Sequence, residues 1–300
     1  MTYPVKWFSE EMAGAPVMMT DTTGTAGTLV ALLKACLISG FNLKAIATLT
    51  FDSGTNTGTA TFATAHGYKA NTVISIDGTG DPAWDGEHRI TTLSSQSITF
   101  EMLTIPVSNL TGSGSCKVAP VDGWAIEFAD SLEQIVIFKR TDEDATPLRL
   151  RIDNSAWSGW YGGATYPYWL AKVQLVEDVV DINNYTVVKT HYWPAAHTYA
   201  ASAQWDLVAD SKLFYFLPRY SVASKACVLA FGDINTIRQD DNYHCILTGI
   251  PPHSATSQYK WSVVYNASSY GWDIYNDFLK FGVDSVRSYG GSSAYFKKLF

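Results

Sequence analysis

The chain has 300 residues, 47% of them hydrophobic, which is enough to bury one large core or two smaller ones and excludes a disordered protein. Only 16% are charged, against a usual value of about 25%, and the formal net charge is −7. This balance excludes a nucleic-acid groove, because phosphate binding needs a basic field.

Residues 1–24 read as loop, with Trp7, Phe8 and the Gly14-Ala15-Pro16 turn as points where the segment can be pinned to the body. The opening Met1-Thr2-Tyr3-Pro4-Val5-Lys6 lacks the apolar region of a signal peptide, so folding in a cytoplasm is the expectation. From Thr28 to Ser39, Leu29, Leu32, Leu33, Cys36 and Leu37 recur at helical spacing, and Gly40 stands where a C-cap belongs. This is the one clear helix. It carries Lys34 and is too short to span a bilayer, and no other run approaches the roughly 18 apolar residues of a membrane helix, so membrane insertion is not expected.

From about Ile46 to Val118 the chain is Thr- and Gly-rich, with short alternating runs separated by turn residues such as Gly67, Gly78, Gly80 and Gly86. Close-spaced short strands of this kind predict a small β-sandwich or barrel. Denser, longer strands return at Val121. The expected organisation is therefore a discontinuous β-rich body, 1–45 and 119–300, carrying residues 46–118 as an inserted module at a surface loop.

The central stretch is Val121 to Asp153. In Leu148-Arg149-Leu150-Arg151-Ile152-Asp153 apolar and polar residues alternate, so the three apolar side chains are expected to face a core and Arg149, Arg151 and Asp153 to face water. Ile135-Val136-Ile137-Phe138 is β-branched and suits a buried strand. Thr141-Asp142-Glu143-Asp144 divides the two as an acidic turn, and the pair reads as a hairpin at the centre of an antiparallel sheet. The fold class is then mainly β: an antiparallel β-sandwich body with one N-terminal helix and the inserted module.

Aromatic residues make up 14% of the chain, more than one core needs. Residues 156–169 form a glycine-broken loop holding Trp157, Trp160, Tyr161, Tyr166, Tyr168 and Trp169, and the C-terminal tail adds Tyr295, Phe296 and Phe300. These are the candidate contact residues. The simpler reading is apolar plugs against the body or a neighbouring subunit; the sharper one is a platform on which sugar rings stack.

Candidate chemistry is thin. Asp81, Asp85, Glu87 and His88 crowd one stretch and have the composition of an acid–base or cation site, but Asp and Gly there also suit a turn, and removal of the Asp85 or Glu87 charge is expected to be nearly neutral. Asp240, Asp241, His244 and Cys245 match no common metal spacing and read as a solvated turn entering a strand. Cys36, Cys116, Cys227 and Cys245 read as free buried thiols, with a Cys227–Cys245 bridge as the lesser alternative. No nucleotide, zinc-protease or serine-hydrolase motif occurs. No catalytic residue, metal or cofactor is expected, and the chain is not read as an enzyme.

Several stretches resemble tailed-bacteriophage virion structural proteins. Ala63-Thr64-Ala65-His66-Gly67, Val73-Ile74-Ser75-Ile76-Asp77-Gly78, Asp85-Gly86 and Ile98-Thr99-Phe100-Glu101-Met102 together are similar to a small Ig-like β module of that group. WFSEEMAGAP, AGTLVALLKACLISGF, LRLRID and FGDINT resemble further patches of such proteins. The resemblance implies a virion component of the tail or baseplate region, made and assembled in the host bacterial cytoplasm. Its partners would be other virion proteins and copies of itself in a symmetric ring. A host-glycan-binding adhesion module, with a surface glycan as partner, and a capsid decoration protein are the alternatives.

Overall fold

The computed structural model describes residues 3–18, 26–156, 170–195, 204–219, 228–234 and 244–249, and the backbone of 282–286. The fold class is mainly β, as expected: the described residues hold one helix and three antiparallel sheets. In chain order, β1 (Lys6–Ser9) precedes helix α1 (Thr28–Lys34) and a π-helical turn (Ala35–Ser39). Then come β2 (Phe41–Ala45), β3 (Thr48–Asp52), β4 (Thr57–Thr61), β5 (Val73–Asp77), β6 (Gly86–Leu93), β7 (Ser97–Glu101), β8 (Leu110–Thr111) and β9 (Ser115–Val118). The body continues with β10 (Trp124–Ala129), β11 (Ile135–Arg140), β12 (Arg149–Asp153), β13 (Leu170–Glu177), β14 (Thr186–Pro194) and β15 (Gln204–Ala209). It ends with β16 (Leu213–Arg219), β17 (Leu229–Asp233), β18 (Cys245–Gly249) and β19 (Gly282–Val286).

The helix is apolar on nearly every side: Leu29, Val30, Leu32, Leu33, Cys36 and Leu37 are all buried. Its N-terminus has no cap of its own, since residue 27 is a glycine. Asn154, arriving just after β12, supplies one from a distance: its Oδ1 accepts the Leu29 N–H at 3.0 Å and its backbone carbonyl accepts the Gly27 N–H at 3.2 Å. The π turn closes on a bond from the Gly40 N–H to the Ala35 carbonyl at 2.8 Å, and Gly40, at φ 71°, ends the element where the sequence places its cap.

The body is a sandwich. The meander β10–β11–β12–β13–β14 forms a five-stranded sheet, with the β11–β12 hairpin at its second and third positions. Facing it is a six-stranded sheet in the order β1–β15–β16–β17–β18–β19. Trp193 on β14 meets Phe214 and Phe216 on β16 at centroid distances of 5.9 and 6.3 Å, and Trp124 on β10 meets Phe214 at 5.5 Å. Large rings from both inner faces thus fill the layer between the sheets. Two expectations need correcting. The N-terminal loop contains a strand, because β1 pairs with β15 from Lys6↔Ala209 to Ser9↔Asp206. Arg151 is buried rather than solvated: its guanidinium lies 5.0 Å from the Tyr185 ring centroid and donates to Gln174 Oε1 at 3.2 Å, because the β13–β14 turn folds over that face.

Residues 41–118 form a closed barrel. β2 and β3 are halves of one strand bent at Ile46-Ala47, and β8 and β9 are halves of its partner. Between the paired halves the Ile46 N–H bonds Gly114 O at 3.2 Å and the Gly112 N–H bonds Ala47 O at 2.8 Å. The circuit β3–β4–β7–β6–β5–β9–β2 therefore returns to its starting strand. Closure leaves no open edge. Leu49, Ile74, Ile76, Ile90, Ile98 and Phe100 fill the interior, with Trp84 as a plug. Gly58 is required beside that plug, since a Cβ there would collide with Phe100, Met102 and Trp84. The strands of this sheet begin at Phe41, ahead of the expected Ile46 boundary.

Candidate functional site

The aromatic candidates Trp157, Trp160, Tyr161, Tyr166, Tyr168, Trp169, Tyr295, Phe296 and Phe300 lie outside the described residues, as do Asp240, Asp241 and Cys227. Cys36, Cys116 and Cys245 are free and buried, and burial pushes the Cys116 and Cys245 thiols up to about 12. Among the described residues, no three His, Cys, Asp or Glu side chains come together to hold a metal ion.

The acidic stretch 81–88 is not gathered into one site. Asp81 accepts the Ala83 N–H through Oδ1 at 3.0 Å and the Val107 N–H through Oδ2 at 2.8 Å, while Asp85 accepts the Thr79 N–H at 3.0 Å. These two carboxylates brace loops. Glu87 and His88 stand on β6, where successive side chains point to opposite faces. His88 turns inward, its ring 4.4 Å from that of Phe100 and its Nε2 2.9 Å from the Trp84 carbonyl, and burial pushes its pKa below the ordinary value. Glu87 turns outward and pairs with the buried Lys6 of β1, which also donates to the Pro120 carbonyl.

That pair belongs to a junction where residues 3–13 strap the barrel to the body. Arg89 lies 4.8 Å over the Tyr3 ring, Lys69 pairs with Glu11 at 2.6 Å, and Gly67 abuts Ala13 so closely that a Cβ at position 67 has no room. Gly67 itself is in the left-handed region at φ 73°. The His66-Gly67 turn is braced from inside: His66 Nδ1 accepts the Tyr68 N–H at 2.9 Å and Nε2 lies 2.7 Å from Ser94 O, which selects the neutral Nε2–H tautomer. Asn42 Nδ2 adds a bond to His66 O at 2.8 Å.

A second polar cluster bridges the sandwich. Arg140 on β11 and Asp233 on β17 are both buried, with Nε 3.0 Å from Oδ2. The Nε–H is not aimed along that line, so the contact is electrostatic rather than an aligned hydrogen bond. Thr146 joins both groups: its hydroxyl is 2.7 Å from Asp233 Oδ1 and 2.7 Å from an Arg140 guanidinium nitrogen, and its N–H donates to Asp233 Oδ2 at 3.0 Å. Above the cluster is a cavity of about 170 Å³, lined also by Asp142, Asp144, Lys212 and His244. Charges of both signs meet there, in a space fit for several waters or a small polar solute. The acidic turn thus lines a cavity, and the buried Cys245 Sγ lies 3.6 Å from the Arg140 guanidinium.

The barrel end away from the chain entry at Phe41 and exit at Val118 carries a feature that the strand pattern hid. Loops 52–57, 77–86 and 101–110 converge there. Leu103, Ile105 and Val107 are 59%, 71% and 91% exposed. They follow strand β7 in the chain, beyond its end at Glu101. The loop holding them is nonetheless anchored: Met102 N–H to Asn56 O at 2.9 Å, Trp84 Nε1 to Ser108 O at 3.1 Å, and Phe51 N–H to Asn109 Oδ1 at 2.9 Å. Comparison with known proteins returns no matching family model and no similar curated protein.

Proposed function

We propose that this protein is a structural component of a tailed-phage particle, of the tail or baseplate region, working as one copy in a symmetric assembly. One observation carries the reading: the stretches with phage resemblance fall on building positions of the barrel. Ala63–Gly67 makes the braced turn that meets the N-terminal strap, Val73–Gly78 is β5 with its turn, and Ile98–Met102 is β7 with Phe100 in the barrel core. These stretches build a closed β module spliced into a β-sandwich and fixed to it by buried contacts, a construction that supports the reading. Such a unit performs its work by holding shape and burying neutral, aromatic-rich surface against neighbours, with closed rotational symmetry making one contact serve every copy.

The test is to place the chain in an electron-microscopy map of the intact particle and to follow the purified protein by multi-angle light scattering, alone and with its virion neighbours. Density for the barrel and sandwich in a ring around the tail axis is the expected result. A protein that stays monomeric and binds no virion component at micromolar concentration overturns the proposal.

A further inference from the structure

We propose that the far end of the barrel is a docking tip for a protein surface that offers an apolar socket ringed by Lys or Arg. The first observation is the apolar loop: Leu103, Ile105 and Val107 project outward while the loop is pinned on either side of them, at Met102, Val107 and Ser108, to Asn56, Asp81 and Trp84. Three large apolar side chains held in water by a loop anchored on both flanks lose less freedom on binding than those of a free loop, which favours a preorganised contact.

The second observation is charge. The three loops of this end, 52–57, 77–86 and 101–110, contain Asp52, Asp77, Asp81, Asp85 and Glu101 and no Lys or Arg. Five of the chain's seven net negative charges therefore sit around the apolar loop, leaving two for all the rest. Asp52 is held firmly ionised by bonds from the Gly54 N–H and the Thr55 hydroxyl. This field selects the occupant. A second copy would bring two acidic tips together, and anionic lipid or nucleic acid would meet the same repulsion. A basic rim around an apolar socket satisfies both features, since like charges across a contact disfavour wrong partners and opposite ones speed encounter. The inference rests on the tip alone and stands whether or not the protein belongs to a virion.

The probe is a synthetic amphipathic helix of leucine and lysine, with a leucine–glutamate helix as its control, titrated into the full chain. Wild type is expected to bind the lysine helix, to release it as salt rises, and to ignore the glutamate helix. Hydrogen-exchange protection is expected in residues 101–109. The variant Leu103→Ser/Ile105→Ser/Val107→Ser is expected to bind at least about tenfold more weakly, as does removal of a central apolar anchor in other interfaces. Asp77→Asn/Glu101→Gln is expected to lower the affinity and flatten its salt dependence. Equal binding of both helices, protection elsewhere on the chain, or affinity unchanged in the triple variant overturns the proposal. Sedimentation that shows a tip-dependent dimer, or tip-dependent partition onto phosphatidylglycerol vesicles, overturns it in favour of a second copy or a membrane.

Discussion

At the scale of single residues, neighbours in sequence do unlike jobs. Asp85 and Glu87 are two positions apart, yet one bonds a loop amide and the other neutralises a buried lysine. Asp85→Asn keeps an oxygen for the Thr79 N–H, so urea unfolding should show a loss of less than about 1 kcal/mol. Glu87→Gln strands the charge of Lys6, whose side chain is 3% exposed, and should cost about 3 kcal/mol, in line with breaking one half of a buried pair. Equal midpoints for the two variants would show that Lys6 does not depend on Glu87. The expectation of near-neutrality is thus kept for Asp85 and replaced for Glu87. His88 sets a pH dependence. Burial lowers its pKa from 6.5, against the opposing bond to the Trp84 carbonyl. The unfolded chain then holds more protons than the folded one between the two values, so stability is complete above the unfolded pKa and is lost as pH falls through the folded one. His88→Gln should flatten the acid side of the stability profile measured from about pH 7 downward; an unchanged slope would assign the acid sensitivity to other groups.

At the scale of elements, closure is the decisive event. β2 contributes only five residues, but without it β9 has one neighbour and the seam rests on the short β3–β8 pairing and the Ile46–Gly114 and Gly112–Ala47 bonds. A fragment of residues 41–118 should therefore melt cooperatively in circular dichroism, while a 46–118 fragment, missing Phe41 to Ala45, should melt earlier and associate through its exposed strand edge. Melting of both at the same temperature would mean that β2 is an accessory. The helix illustrates the same dependence on distant parts, since its N-terminal amides are satisfied by Asn154 rather than by a local cap.

At the scale of the molecule, barrel, helix and sandwich share one continuous apolar core, from Trp84 and Phe100 through Leu33 and Leu37 to Trp193 and Phe231. The N-terminal segment belongs to both parts: β1 completes the six-stranded sheet while Tyr3, Lys6, Glu11 and Ala13 reach the barrel. The barrel is thereby held at a set attitude, and its acidic, apolar tip is presented at the end remote from the entry and exit of the chain. A module so held fits the assembly role proposed for the chain.

The sequence by itself determined the mainly β class, the helix with its glycine cap, the β11–β12 hairpin and the buried state of three cysteines. Each follows from a local period or from side-chain chemistry: alternation along a strand, spacings of three and four along a helix, burial of a thiol. Tertiary structure alone decided the closing of the barrel, the strand hidden in the N-terminal loop, the burial of Arg151 and the partners of Lys6 and Arg140. These join residues such as Lys6 and Glu87, 81 positions apart, or Arg140 and Asp233, 93 apart, and no local pattern encodes which distant charge a buried group will meet. It also decided that Leu103, Ile105 and Val107 stand in water, since an apolar run does not itself say which side of the chain is covered.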